Sequence, residues 1–475
     1  MPVTAPPDAR LPDGFVVALD PRVRRRDAGA TLLGGSPLRL LRLAPRAREL
    51  LAGDGLTVAD PTTAALVGRL LDSGLAHPRL GPVTPAGVTV VVPVKDRTAG
   101  LDRLLTAVRA DPQTAAVPVM VVDDGSADPG AVARVCAAHR ADVVRHEVAR
   151  GPSAARNAGL RAAGTAAVAF LDSDCVPRPG WLGVLAAHLA DPRLAVVAPR
   201  ITALAGDGSG WVGGYEDTVS ALDMGRHPAP VAPLSGVSYV PSAALLVRRA
   251  ALGGGFDETM RVAEDVDLVW RLAGAGWRVR YEPGAQVDHQ HPRATGEWLR
   301  RRAFYGTGAA LLAQRHGSAV APVVMSPWSA AAWACVLLGG RPGLVAGAGV
   351  LGVATRTLAR RLARPGEPAP VGLAATLVVR GTWAGGRTLA RSVTRHHWPL
   401  VLPLLAVSGR ARRLTLLAAL ADGVGAWWPH RRDVDLPRFV AARRLEDLAY
   451  GAGLWRGALR ARDARALLPA RPPAG

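Results

Sequence analysis

Asp172 and Asp174 stand one residue apart in Phe-Leu-Asp-Ser-Asp-Cys-Val-Pro (170–177), just past an apolar run. Carboxylates at that spacing can share one divalent ion, and hard oxygen donors suit Mg²⁺ or Mn²⁺ bridging a diphosphate. The structural use of the same residues is a cap, with Asp174 starting a helix near 177–181. A second acidic pair, Asp123-Asp124, heads the turn Asp-Asp-Gly-Ser. Carboxylates in such a turn can accept hydrogen bonds from a nucleobase N–H or from ribose hydroxyls. A third pair, Glu264-Asp265, opens AEDVDLVWRLAGAGW (263–277), where Val266, Val269 and Leu272 recur at helical spacing. The dipole of a helix N-terminus favours carboxylates there whatever else they do.

These pairs need a scaffold that brings them together. From Val88 onward, GVTVVVPV (87–94), VPVMVVDD (117–124), ADVVRHE (141–147) and AAVAFLDSD (166–174) alternate with helical stretches at 98–110, 128–139 and 152–163. Continuous apolar runs predict strands buried on both faces, and the βαβα order predicts a mostly parallel sheet. Ligands of such sheets bind at the carboxyl ends of the strands. Lys95-Asp96, Asp123-Asp124 and Asp172/Asp174 all fall at those ends.

Residues 11–80 have a different texture. Strand-like runs at 15–19 and 31–33 precede helical stretches at 44–51 and 62–73, a pattern that suits a winged-helix-like unit, and Gly81-Pro82-Val83-Thr84-Pro85 reads as a linker. Charge separates the back of the chain from the front. The whole carries +20, and residues 300–475, with 26 Arg against 7 acidic residues, hold +19 of it. No zinc-finger, helix-turn-helix or RNP-like pattern accompanies the Arg, which argues against nucleic acid. Apolar runs between Arg clusters favour an anionic membrane surface, beside a plain Arg-rich composition in a chain whose only lysine is Lys95. The uncharged run 317–340 approaches bilayer length, but Pro322 and Pro327 interrupt it. Three scattered cysteines predict a reducing compartment and no structural zinc. The N-terminal residues lack the apolar core of a secretory signal, so the expected location is the cytoplasm or the cytoplasmic side of the membrane.

Taken in order and spacing, the motifs resemble the family-2 glycosyltransferases of the GT-A fold over residues 88–300. The resemblance rests on Val92-Pro93-Val94-Lys95-Asp96-Arg97, Asp123-Asp124-Gly-Ser, Gly151 to Gly159 (GPSAARNAG), Asp172-Ser-Asp174, Gly254-Gly255-Phe256-Asp257-Glu258 and Glu264-Asp265. It implies a nucleotide-diphospho-sugar donor, a UDP-sugar, held by Pro93, Asp96, Asp123, Asp124, Arg156 and Asp172, with Asn157 near the nucleotide. It implies Mg²⁺ or Mn²⁺ on Asp172, Asp174 and a downstream His, with His289 preferred over His291. Asp257, Glu264 and Trp298 fall on the acceptor side, Trp298 as a sugar-stacking or a core residue. Asp265 becomes the expected general base of an inverting transfer, taking the acceptor hydroxyl proton. No Q-x-x-R-W motif is present, which sets the chain apart from processive polysaccharide synthases.

A narrower resemblance runs from LPDGFVVALDPRVRRRD and LLGGSPLRLLRLAPRARELL through EWLRRRAFYGTGAALLAQRHG. There the chain is similar to the mycofactocin-system glycosyltransferases. That resemblance implies β-linked glucose units added to a redox cofactor derived from a short peptide, and a front module resembling peptide-binding winged-helix units. The organisation expected is 1–80 for peptide recognition, 86–315 for the transferase and 316–475 for an Arg-rich helical region at the membrane. The runner-up is a membrane glycosyltransferase with a polyprenyl-phosphate or lipid acceptor.

Overall fold

The computed structural model describes residues 2–204, 211–292, 294–364 and 368–472. It forms two compact units, Met1–Arg293 and Ala294–Gly475.

The first unit begins with strands β1 (Val16–Leu19), β2 (Arg24–Arg26), β3 (Thr31–Gly34) and β4 (Arg39–Arg42), helix α1 (Pro45–Leu50), strand β5 (Gly55–Thr57), helix α2 (Pro61–Asp72) and strand β6 (Ala76–Pro78). Both helices are where the sequence predicts them, but six strands stand where it predicts two. They make two antiparallel sheets, ordered β5-β1-β6 and β2-β3-β4. The overlooked strands are three or four residues long, and β2 is Arg-Arg-Arg, so neither length nor alternation marks them. α2 starts at a capping box, in which Asp60 accepts from Thr63 N at 2.7 Å and Thr63 Oγ1 accepts from Asp60 N at 2.9 Å. Its buried Val67, Leu70 and Leu71 share a core with Phe15, Val17, Leu32 and Leu56.

This module is locked to the rest of its unit through buried charge. Arg280 Nη2 donates to His77 Nδ1 at 2.9 Å, which leaves His77 Nε2 to donate to Asp20 Oδ2 at 2.9 Å. Burial, with the Arg280 charge beside it, lowers the His77 pKa to about 4, against the pull of Asp20. Arg278 bonds Asp72 on one side at 2.7 Å and Asp191 on the other at 3.0 Å. The Gly/Pro stretch that reads as a linker is pinned as well, by Val83 N donating to Gly183 O at 3.1 Å. Removing Asp20 leaves the buried His77 Nε2–H without its acceptor, at a cost of about 1–3 kcal/mol. Asp20→Ala is therefore expected to lower the denaturation midpoint clearly, whereas Arg10→Ala, an exposed pair with Asp13, should leave it nearly unchanged.

The remainder of the unit is a mixed α/β sheet. It contains β7 (Val88–Val94), α3 (Thr98–Ala110), β8 (Val119–Asp124), α4 (Pro129–Ala138), β9 (Asp142–His146), α5 (Pro152–Ala162), β10 (Ala167–Leu171) and β11 (Cys175–Pro177). Next come α6 (Trp181–Ala187), β12 (Leu194–Ala203), α7 (Trp211–Thr218), β13 (Ala229–Pro230), β14 (Ala244–Arg248), α8 (Glu264–Gly274) and β15 (Arg278–His289). The strand order is β11-β15-β12-β14-β10-β7-β8-β9, with β13 on β15. β10, β7, β8 and β9 run parallel, as the βαβα pattern predicts, and β14 turns the sheet antiparallel beside β10. β7 and β10 are buried nearly throughout, but β9 is an edge strand with partly exposed side chains, so its apolar run does not mark two covered faces. The consequence for function is direct: β10, β7 and β8 are neighbours and end together, at Asp172, Lys95-Asp96 and Asp123-Asp124.

The second unit is helical: α9 (Thr295–His316), α10 (Pro327–Leu362), α11 (Val371–Arg395), α12 (Trp398–Val407), α13 (Gly409–Trp427) and α14 (Leu436–Ala461). A small core of Ala313, Leu454, Ala458 and Leu467 joins α9 to α14. Arg395 on α11 pairs with the buried Asp447 on α14 at 2.9 Å. Among the described residues only α10 is long and apolar enough to cross a membrane, and it is not straight, because Gly340 within it takes φ 58° and ψ −135°.

Candidate active site

The turns after the parallel strands are tied to each other. Asp96 N donates to Ser126 Oγ at 2.9 Å, and Asp96 Oδ1 accepts from Ala127 N at 2.7 Å, joining the β7 turn to the Asp-Asp-Gly-Ser turn. Pro93 lies within β7, half-buried. Asp123 is buried, accepting from Ser126 N at 2.9 Å and pairing with Arg145. Asp124 accepts from His146 Nδ1 and Arg150 N, both at 2.8 Å, and from Gly151 N at 2.7 Å. Burial raises the Asp124 pKa, but those donors outweigh it and hold the carboxyl below the usual carboxylate range. Asp124 thereby fixes the loop that starts α5.

From α5 come the two residues that organise the site. Arg156 is buried, and its Nη2 donates to Asp172 Oδ1 at 2.6 Å while Nη1 reaches Glu264 Oε1 at 3.3 Å. One guanidinium thus joins the turn after β10 to the start of α8. Asn157 faces the other way. Its Nδ2 donates to Phe256 O at 2.8 Å and its Oδ1 accepts from Phe256 N at 2.9 Å, which sets the Gly-Gly-Phe-Asp-Glu turn. Within that turn Asp257 accepts from Thr259 N and Thr259 Oγ1, at 2.9 and 2.6 Å, so its carboxylate is engaged locally. Glu258 bonds Asn157 Nδ2 and Arg150 Nη2, both at 3.0 Å.

Asp174 does not cap a helix. Cys175–Pro177 is strand β11, and Gly180 occupies the N-cap of α6. β11 pairs with the end of β15, setting Cys175 opposite His289, and His289 Nε2 lies 3.4 Å from Asp174 Oδ1. Two donors at right angles on an ion with ~2.1 Å bonds are about 3 Å apart, so this carboxylate and imidazole fit one divalent cation. His289 Nδ1 is buried without a hydrogen bond. Asp174 is also paired with Arg97. The two aspartates have adjacent basic partners, Arg156 on Asp172 and Arg97 on Asp174. Among the described residues no three His, Cys, Asp or Glu side chains already converge as a metal cluster. His291 Nδ1 lies 3.6 Å from Glu216 Oε2.

α8 carries Glu264 and Asp265 in its first turn, entered through Ala263 in a left-handed conformation (φ 63°) that costs a non-glycine residue about 1–2 kcal/mol. Asp265 accepts from Ser242 N at 3.1 Å and Val266 N at 2.8 Å. Burial raises the Asp265 pKa against those bonds. Glu264 is pushed up to about 7, by burial and then by the Asp265 charge, with Arg156 opposing. Two carboxyls with raised pKa values at one helix start are suited to hold or take a proton near neutral pH. Glu264 is still protonated while Asp265 titrates, so Glu264→Gln should leave an acid limb of kcat/KM set by Asp265 in place and remove only a limb near pH 7 that belongs to Glu264. A pH–rate profile of the variant checks this, and a limb near pH 7 that persists in it would contradict the assignment to Glu264.

Trp298 falls in the second unit, on α9, buried, with the Arg302 guanidinium 6.0 Å from its ring centre. It has the environment of a core residue, with no open face for a sugar. Sequence reasoning passed over Ser242 and Arg145, which lie outside every motif, and left Arg97 unassigned although it ends the first motif.

The family model described as glycosyl transferase family 2 matches residues 89–252. The chain is 47% identical over 477 residues to a pre-mycofactocin glycosyltransferase of Mycobacterium tuberculosis, covering 97% of this chain and 98% of the relative. It is 31% identical over 208 residues to the succinoglycan biosynthesis protein ExoU of Rhizobium meliloti, covering 41% of this chain and 59% of that one. A solved mannosyltransferase from Pyrobaculum calidifontis, in complex with GDP-Man and Mn²⁺, is 20% identical over 74% of this chain and 90% of its own, with a TM-score of 0.39. A match at 47% identity over 97% of this chain, on a GT-A sheet whose strand ends carry paired carboxylates, makes this chain a member of the pre-mycofactocin glycosyltransferase family.

Proposed function

We propose that the protein transfers a hexose, glucose, from a UDP-sugar to the peptide-derived redox cofactor mycofactocin, with inversion, building a short β-linked oligosaccharide. The observation that carries the chemistry is Asp265, held by Ser242 N and Val266 N and raised in pKa, on a helix start that Arg156 joins to Asp172. In an inverting transfer Asp265 takes the proton of the acceptor hydroxyl as that oxygen attacks the anomeric carbon and the bond to the diphosphate breaks. Arg156 keeps the proton-accepting helix in register with the donor-side turn. Asp174 and His289, with Asp172 beside them, would hold Mg²⁺ or Mn²⁺, which when bound neutralises charge on the departing diphosphate. Pro93, Asp96, Asp123 and Asp124 shape the nucleotide end, and Glu264 and the Asp257 turn border the acceptor end.

The front module supports a peptide-derived acceptor. Its Ser36 Oγ accepts from Gly236 N at 2.5 Å, in the segment between β13 and β14 that leads to Ser242. From the acceptor side the module would engage the peptide portion. The Arg-rich composition of the second unit supports attachment to an anionic membrane surface on the cytoplasmic side.

The test is mass spectrometry of the purified enzyme with a panel of nucleotide sugars and the peptide-derived acceptor. Hexose increments with the UDP-sugar are expected. Incorporation into a polyprenyl phosphate and not into the peptide-derived acceptor would overturn the assignment.

A further inference from the structure

The long apolar helix α10 is a hairpin. At Gly340 the chain reverses, with Pro342 two residues on, and the second arm lies against the first. A Cβ on Gly343 would collide with the Cys335 carbonyl oxygen, and one on Gly347 would fall 3.2 Å from that of Ala332. Small residues thus let the two arms touch along their backbones. The first arm, 327–339, is about 20 Å long at ~1.5 Å per residue, well short of a hydrocarbon core of about 30 Å.

A second break in the helices lies beside the first. α12 ends at Val407, Ser408 breaks the helix and caps α13, and the Arg410 guanidinium at the start of α13 donates to the Leu337 carbonyl. The two turns are therefore neighbours. Their side chains are the most exposed large apolar groups of the region: Leu338 at 77%, Val345 at 75% and Val407 at 82%, with Leu344 and Leu404 more than half exposed. Arg341, Arg410, Arg412 and Arg413 flank the same turns. From Pro327 to Trp427 the sequence has twelve Arg against Glu367 and Asp422, a net of +10. Asp422 is itself paired with Arg443 at 2.7 Å.

We infer that the α10 hairpin turn and the neighbouring break at Ser408 are a monotopic membrane anchor, which dips Leu338, Val345 and Val407 into one leaflet of an anionic bilayer without crossing it. The inference rests on the membrane placement proposed above and specifies its mode. Charge complementarity selects the occupant, because apolar tips ringed by Arg and nearly free of acid match acyl chains beneath anionic phosphates. The same Arg forbid deeper insertion, since a guanidinium at the bilayer centre is strongly disfavoured.

The experiment is flotation of the full-length enzyme with vesicles of phosphatidylcholine, alone or mixed with phosphatidylglycerol. The wild type should float with the anionic vesicles only and be released by high salt and by alkaline carbonate. Leu338→Asp/Val407→Asp should lose roughly tenfold or more in vesicle partitioning, as expected when two buried apolar side chains become charged, while donor hydrolysis stays at the wild-type level. Unchanged partitioning of that variant would overturn insertion through the turns and leave surface attachment standing. Resistance of the wild type to carbonate would overturn the monotopic mode in favour of crossing. Failure of the wild type to bind anionic vesicles would remove the membrane placement together with this mode. A wild type that is dimeric without lipid, with a monomeric double variant, would overturn the anchor in favour of turns covered by a second copy.

Discussion

Asp265→Asn is expected to lower kcat by roughly 10²–10⁴-fold and to leave the affinity for the UDP-sugar within a few-fold of wild type. The amide keeps the shape of the side chain but has one acceptor oxygen, so it keeps the bond from Ser242 N or from Val266 N and not both, because these reach different oxygens of Asp265. It has no useful basicity, so the acceptor hydroxyl loses its proton acceptor while the donor side is untouched. Single-turnover kinetics and donor titration separate the two effects. If the variant keeps most of its kcat, Asp265 is a helix-start charge, and Glu264, whose pKa is raised to about 7, is the next base to test.

The second large effect concerns the donor side. Asp174→Asn should reduce turnover by more than the ~100-fold typical of partners that merely orient a metal ligand. Excess chelator should do the same to the wild type, with recovery on adding Mg²⁺ or Mn²⁺. Asp174 is the carboxylate that meets His289 at 3.4 Å through one oxygen, while its other oxygen pairs with Arg97, so the first oxygen would be the one offered to an ion. His289→Ala should share the metal dependence of Asp174→Asn, whereas His291→Ala, on Glu216, should not. Full activity of Asp174→Asn, or of the wild type in chelator, would remove the metal from the account.

Much of the catalytic sheet was legible in the sequence, because β7, β8 and β10 are continuous apolar runs that end on carboxylates. The helix α8 was legible too, but of its expected apolar face only Val269 and Leu272 are buried, while Val266 is half-exposed and Asp267, Leu268 and Trp270 are buried instead. What could not be read is the set of long-range polar contacts. Arg278 and Arg280 look like exposed charges in β15, yet they are buried against Asp72, Asp191 and His77, the first and last from the front module. Nothing local announces the pairing with that module, since those partners are more than 200 residues away. The short Arg-rich strands of the module were invisible for a related reason: cross-strand neighbours, not their own composition, make them strands. In the back third, Gly339-Gly340-Arg341-Pro342 marks a break, but only the structure shows that the second arm folds back onto the first.

The central claim is an inverting transfer with Asp265 as base, and the anomeric configuration of the product tests it most directly. Purified wild-type enzyme, supplied with a divalent ion, an α-configured UDP-glucose and the peptide-derived acceptor, should yield a product whose new anomeric proton shows the large coupling of a β-glucoside in NMR. An α-linked product would mean retention, and a single carboxylate base at Asp265 could not account for it.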